Sequence, residues 1–291
     1  MATTISGTVT TGVTLSAAQQ NPLSVTATGY VTNTMGSDGV LGEAGYAWTV
    51  ANSGTIKTTG TGSVGILLES GGSVTNGQSG STGGLIESAG IGVEIFGSAG
   101  SVTNFGTIEG TGSSAIAVFL EGGTVTNFGS IEGTGSLGFG VLVGTAAATV
   151  DNLGTIEETG TYSFGVALNA GGAVTNRKGG LIAGGLAGVE SGTAATVVNY
   201  GTIEATGGFG VLFGSGASTL TNAGTISGTS AAVAFSGGGN RVILDRGEAF
   251  LGTVFAGSSS DVVELAAGGG TGTVVGSFSG FGVLTEDAGA D

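Results

Sequence analysis

The chain has 291 residues, with 20 carboxylates against five Lys and Arg, for a net charge of −15. That balance repels phosphate and so makes nucleic acid and anionic membrane surfaces poor partner candidates. With no cysteine and no histidine, disulfides, thiolate and imidazole metal sites, and Ser-His-Asp or Cys-His catalysis are excluded as well.

Sixty-five glycines would suit a flexible polymer, but 40% of the residues are hydrophobic and only 9% are charged. Such a chain has enough apolar side chain to offset the entropy of ordering. Proline occurs once, at Pro22, so no linker divides the chain and a single elongated domain is expected. Residues 1–48 read as degenerate coils or a cap. Their first twelve, "MATTISGTVTTG", lack the basic start and apolar centre of a signal peptide. Export is therefore expected to use another signal, or the chain to be a processed one. No apolar run reaches membrane-spanning length, and no direct membrane insertion is expected.

From residue 49 to 235 one sentence repeats: "TVANSGTIKT", "SVTNFGTIEG", "TVTNFGSIEG", "TVDNLGTIEE", "TVVNYGTIEA" and "TLTNAGTISG". Its asparagines, Asn52, Asn76, Asn104, Asn127, Asn152, Asn176, Asn199 and Asn222, are separated by 24, 28, 23, 25, 24, 23 and 23 residues. Asn33 in "YVTNT" reads as a degenerate earlier member. The units are built of Val, Ile, Thr and Gly without helical period, and each divides into three short strands. The first ends in "VTN", the second is "GTIEG", and the third is the "FGVLV" type at 139, 164 and 209. Three glycine-punctuated strands per unit predict an all-β fold, a right-handed parallel β-helix in which each coil pairs with the next. Roughly twelve coils at strand spacing would make a rod on the order of 55 to 60 Å long. Residues 236–291 read as further, degenerate coils of the same solenoid.

Stacking turns the repeated text into columns. Alternation points Val102, Val125, Val150, Val174 and Val197 inward beside Ile108, Ile131, Ile156, Ile182 and Ile203. Asn104, Asn127, Asn152, Asn176, Asn199 and Asn222 are expected to form an internal ladder of amides bonded to one another and to the turn backbone. On the outer side of the second strand Glu87, Glu109, Glu132 and Glu157 follow one another, with Glu204 further on. This acidic face is read as a solvated, solubilising surface, with a divalent-cation strip or a basic-partner site as the alternative. Thr107, Thr155, Thr202 and Thr225 share that face, and their carboxylate neighbours make it a poor ice-binding array.

In the third strand, Val118, Val141, Val166 and Val211 are expected to face inward. Phe119, Leu142, Ala167 and Leu212 then face outward, flanked on that side by Ala117, Gly140, Gly165 and Gly210. Phe119, Leu142 and Leu212 form a candidate partner stripe, interrupted by Glu94 and Glu190. For catalysis, the nearest approach to an acid–base pair is Glu157 and Glu158, with Arg177 and Lys178 one coil away. No catalytic residue, metal site or cofactor is assigned.

The rungs "VTNFGTIEG" and the C-terminal stretch "SGGGNRVILDRGEAFLGTVFAGSSSDVVELAAGGGTGTVVGSFSGFGVL" resemble the β-helical passenger domain of Gram-negative autotransporters. The resemblance implies display on the bacterial surface or secretion, with roles in adhesion, autoaggregation and biofilm. It leaves calcium coordination at Asp245 and Asp261 weak, since no calcium nonapeptide repeats. The sequence thus leads to a non-enzymatic extracellular or cell-surface module that self-associates or takes a cell-surface or carbohydrate ligand. A polysaccharide-active lyase or hydrolase and a self-assembling fibre component are the alternatives.

Overall fold

The computed structural model describes residues 2–81, 83–267 and 275–288. The C-terminal coils expected over 236–291 are therefore seen in part, with 268–274 and 289–291 outside the described residues.

The fold is an all-β solenoid. First strands such as Trp48–Asn52, Gly72–Asn76, Gly100–Asn104 and Gly123–Asn127 stack in a 13-stranded sheet that begins at Thr3–Ile5 and runs to Val283–Glu286. Second strands, among them Thr107–Gly110 and Ser130–Gly133, and third strands, among them Ile116–Leu120 and Phe139–Val143, stack in the same way. Pairing is parallel and in register: Val102 lies opposite Val125, Ile108 opposite Ile131 and Val118 opposite Val141. Parallel strands need a long return path, and here two further strands supply it in each coil up to Phe235, with the single long strand Ala249–Phe255 serving the coil after Arg241–Leu244. A 3₁₀ turn at Ala18–Gln20 is the helical element among the described residues, and no helix there is long and apolar enough to cross a membrane.

The core is a set of aliphatic columns. Val102, Val125, Val150, Val174 and Val197 are buried beside Ile108, Ile131, Ile156, Ile182 and Ile203. The amides of Asn52 through Asn222 run along the same interior. Each Nδ2 donates to the Oδ1 of the next coil, at 2.9 Å from Asn104 to Asn127 and from Asn127 to Asn152. The same nitrogens also donate to turn carbonyls, as Asn104 does to Gly106 at 3.1 Å and to Ser130 at 2.8 Å. Buried amides are tolerable because these partners replace water. The ladder ends where the column changes: Asn222 faces Leu244, and its buried Nδ2 has no acceptor.

Two expectations are corrected. Asn33 is not an early rung, because it lies beside Thr58 in the second-strand stack, while the position below Asn52 is held by Val25. Asn33 precedes Asn52 by only 19 residues, short of the full coil of 27 that separates Val25 from Asn52. Nor do Ala117, Gly140, Gly165 and Gly210 share the outer face. The backbone bends between two inward-facing residues, so strict alternation fails and the ladder skips this position: Ile116 pairs with Phe139 and Val118 with Val141. Ala117 and Val118 are both fully buried. A side chain at Gly140 would meet the Gly165 carbonyl at 2.6 Å and Ile156 Cγ2 at 2.8 Å. The small residues are thus the room into which the isoleucine column packs.

Candidate functional site: an apolar face, an acidic row and a turn groove

Removing the small residues from the outer side of the third strand makes that side more apolar than the sequence suggested. Ile91, Ile116, Phe139, Phe164, Ala187 and Phe209 stand in one column. Beside it run Leu67, Glu94, Phe119, Leu142, Ala167, Glu190 and Leu212. Phe119, Leu142 and Leu212 are therefore half-buried members of a two-column face, seven coils and roughly 30 Å long by strand spacing. Phe139 and Phe164 stack with centroids 5.2 Å apart and planes 8° from parallel. Phe119 meets Phe96 at 5.4 Å. Leu137 and Tyr162, 53% and 61% exposed, extend the face into the turn before the strand. The only ionisable groups in the two columns are Glu94 and Glu190. Burial, followed by the charge of Asp38, pushes the Glu94 carboxyl up to about 7, and burial alone raises Glu190.

On the second strand the register joins Glu87, Glu109, Glu132 and Glu157 into one outward row. Ala183 separates it from Glu204. The row is partly neutralised at its start, where Lys57 Nζ lies 2.7 Å from Glu87 Oε1. Glu109 is raised by burial first and then by its neighbours Glu87 and Glu132, as expected for like charges at strand spacing. Glu132 accepts from the Ser130 hydroxyl. No group of acids that could hold a metal occurs among the described residues. At the C-terminal end, Asp261 instead accepts from the backbone and side-chain amides of Asn240, at 2.8 and 3.1 Å.

The structure separates Glu157 from Glu158. Glu157 is on the outer row, whereas Glu158 is 2% exposed and points inward. Its column is otherwise small, with Gly110 and Gly133 in the coils before it, and its carboxyl fills the space that side chains at Gly133 and Gly138 would occupy. Burial raises it to about 7, opposed by the facing backbone amides of Gly135 and Gly160. Neither oxygen completes a hydrogen bond. The two carboxyls do not face a common substrate.

Sequence reading missed a third feature, in the turn after each ladder asparagine. The amides of Phe105, Phe128, Leu153, Arg177, Tyr200 and Ala223 each bond to the carbonyl of the previous coil's asparagine, at 2.7 or 2.8 Å. The turn side chains therefore form their own column on the surface. Phe105 and Phe128 stack at 4.7 Å with planes 6° from parallel. Phe128, Leu153 and Tyr200 are 45%, 41% and 43% exposed. Arg177 is held by Asp151 in a two-bond fork, Nε to Oδ1 at 2.7 Å and Nη2 to Oδ2 at 3.0 Å. A groove of about 680 Å³ lies over Phe128, Leu153, Arg177, Lys178 and Tyr200. The signal was present in "NFG", "NFG", "NLG" and "NYG", but a turn position reads as punctuation until register stacks it.

These features define the chain as a β-solenoid repeat protein whose surface is organised in columns. Comparison with protein-family models, with curated proteins and with solved structures returns no match.

Proposed function

We propose that the protein is a non-enzymatic, extracellular β-solenoid module that works by association, and that its third-strand face binds the same face of a second copy. The observation that carries this reading is the two-column apolar face from Ile91 and Leu67 to Phe209 and Leu212. Soluble chains rarely leave a continuous apolar strip of this length uncovered. Its large apolar side chains are half-buried, and the small ones, Ala167 and Ala187, are buried between them. Because the columns repeat at strand spacing, two copies match in many registers, and many weak contacts sum to firm adhesion. No cation stands in the columns, so like faces meet without charge pairing, opposed only by Glu94 and Glu190. The resemblance of the rungs and C-terminal stretch to autotransporter passengers supports surface display.

Sedimentation velocity tests the reading. Wild-type protein is expected to shift to larger species with concentration, and Leu142→Glu, which adds a charge to the middle of the face, is expected to stay monomeric. A wild type that remains monomeric at millimolar concentration refutes it.

A further inference from the structure

The turn column differs from the apolar face in being walled at both ends. Most coils pass from the ladder asparagine to the next strand through a minimal turn, such as Asn104-Phe105-Gly106 or Asn127-Phe128-Gly129. Two coils insert extra residues there. After Asn76 the chain runs through Gln78, Ser79, Gly80 and Ser81 before rejoining at Gly84, and a second hollow of about 510 Å³ lies between this insertion and Phe105 and Phe128. After Asn176 comes Arg177-Lys178-Gly179-Gly180, closed by a bond from the Gly180 amide to the Arg177 carbonyl at 2.8 Å. Gly179 has φ +85°, a conformation that glycine adopts without strain. Between the two insertions lie three minimal turns carrying Phe105, Phe128 and Leu153. In repeat proteins, insertions that cluster on one edge mark the binding edge.

The chemistry of this platform is specific. Apolar side chains stand one per coil at about 4.8 Å, a spacing close to one sugar unit of an extended glycan lying along the axis, and Phe105 and Phe128 cover one face of each other's ring. Gln78 at one end donates its amide to Ser53 Oγ at 3.0 Å, which fixes a polar group beside Phe105. At the other end the electrostatics reverse. In a chain of net charge −15, this groove holds Arg177 and Lys178 against the single carboxylate of Asp151. Asp151 occupies two N–H groups of Arg177, and the remaining guanidinium donors are free to face a ligand. Lys178 is exposed and forms no ion pair among the described residues.

We infer that the turn column from Gln78 to Lys178 is a binding site for an acidic oligosaccharide, with sugar rings packed against Phe105, Phe128 and Leu153 and a sugar carboxylate held by Arg177 and Lys178. The site lies on a different edge from the third-strand face and does not rest on the association proposed there.

Isothermal titration of the full chain with hexamers of galacturonate, of mannuronate and of hyaluronan, alongside neutral cellohexaose, tests this. At least one acidic hexamer is expected to bind, and to bind more weakly as salt is raised. Phe128→Ala is expected to weaken that binding about tenfold by removing the central ring. Lys178→Ala is expected to weaken the acidic hexamer severalfold and to leave any cellohexaose binding unchanged. Both side chains are exposed, and an unchanged melting temperature confirms that the variants fold. Absence of binding by all three acidic hexamers overturns the inference. So does equal affinity for cellohexaose, or affinity indifferent to Phe128→Ala.

Discussion

Replacing Glu158 with alanine should make the protein more stable in mild base and less stable in mild acid. The carboxyl is 2% exposed, has no hydrogen-bond partner for either oxygen, and is raised from 4.5 to about 7 by burial. Because the folded-state value lies above the unfolded one, the folded protein holds its proton more tightly. The penalty is absent below about pH 4.5, grows as pH rises through the interval, and is complete above about 7. A shift of this size corresponds to about 3 kcal/mol at full ionisation, of which about 2 to 3 kcal/mol develops between roughly pH 5 and pH 8. Alanine, the residue at position 205 of the same column, removes that penalty but also one buried methylene and leaves the carboxyl's space empty, together worth about 1.5 kcal/mol. The variant should therefore gain about 2 kcal/mol at about pH 8 and lose somewhat less than about 1 kcal/mol at about pH 5. Urea midpoints of both proteins at the two pH values measure the crossing. Parallel pH profiles, with the variant weaker by the same amount at each, would refute the buried-charge argument.

Association by the apolar face should tighten as pH falls through about 7, because Glu94 sheds its charge there. Glu94→Gln should hold the acid-like affinity at higher pH, and sedimentation at two pH values reads both effects. Asn127→Ala should cost about 2 to 4 kcal/mol in chemical unfolding, since Asn127 accepts from Asn104 and donates to Asn152 and to the carbonyls of Gly129 and Thr155. Gly140→Val should cost about 1 to 3 kcal/mol by overpacking, because the new atoms would press on Ile156 and on the Gly165 carbonyl; an unchanged midpoint would contradict the inward placement of that column.

What the sequence made legible is what recurs at a constant offset. Asn104 and Asn127, Val102 and Val125, and Ile108 and Ile131 each meet their counterpart because the coil length hardly varies. Legibility fails where a local rule changes. Asn33 carries the right word in the wrong strand, because it stands 19 residues before Asn52, short of a full coil. Ala117 and Val118 both point inward because the strand bends between them, and period-two reasoning has no way to register a bend. The apolar stripe was legible through Phe119, Leu142 and Leu212, but its second column, Ile116, Phe139 and Phe164, was hidden by that same assumption. The platform of Phe105, Phe128 and Leu153 escaped notice because its coherence arises only from stacking of turns. Glu158 was read beside Glu157 along the chain, whereas burial places it among glycines of other coils.

The association claim is tested most directly by chemical access to the face itself. The chain has no cysteine, so Leu142→Cys and, as a reference on the acidic row, Glu109→Cys each provide one reactive thiol. The account predicts that alkylation at position 142 slows as protein concentration rises, while position 109 reacts at a constant rate. Equal, concentration-independent rates at both positions would contradict it.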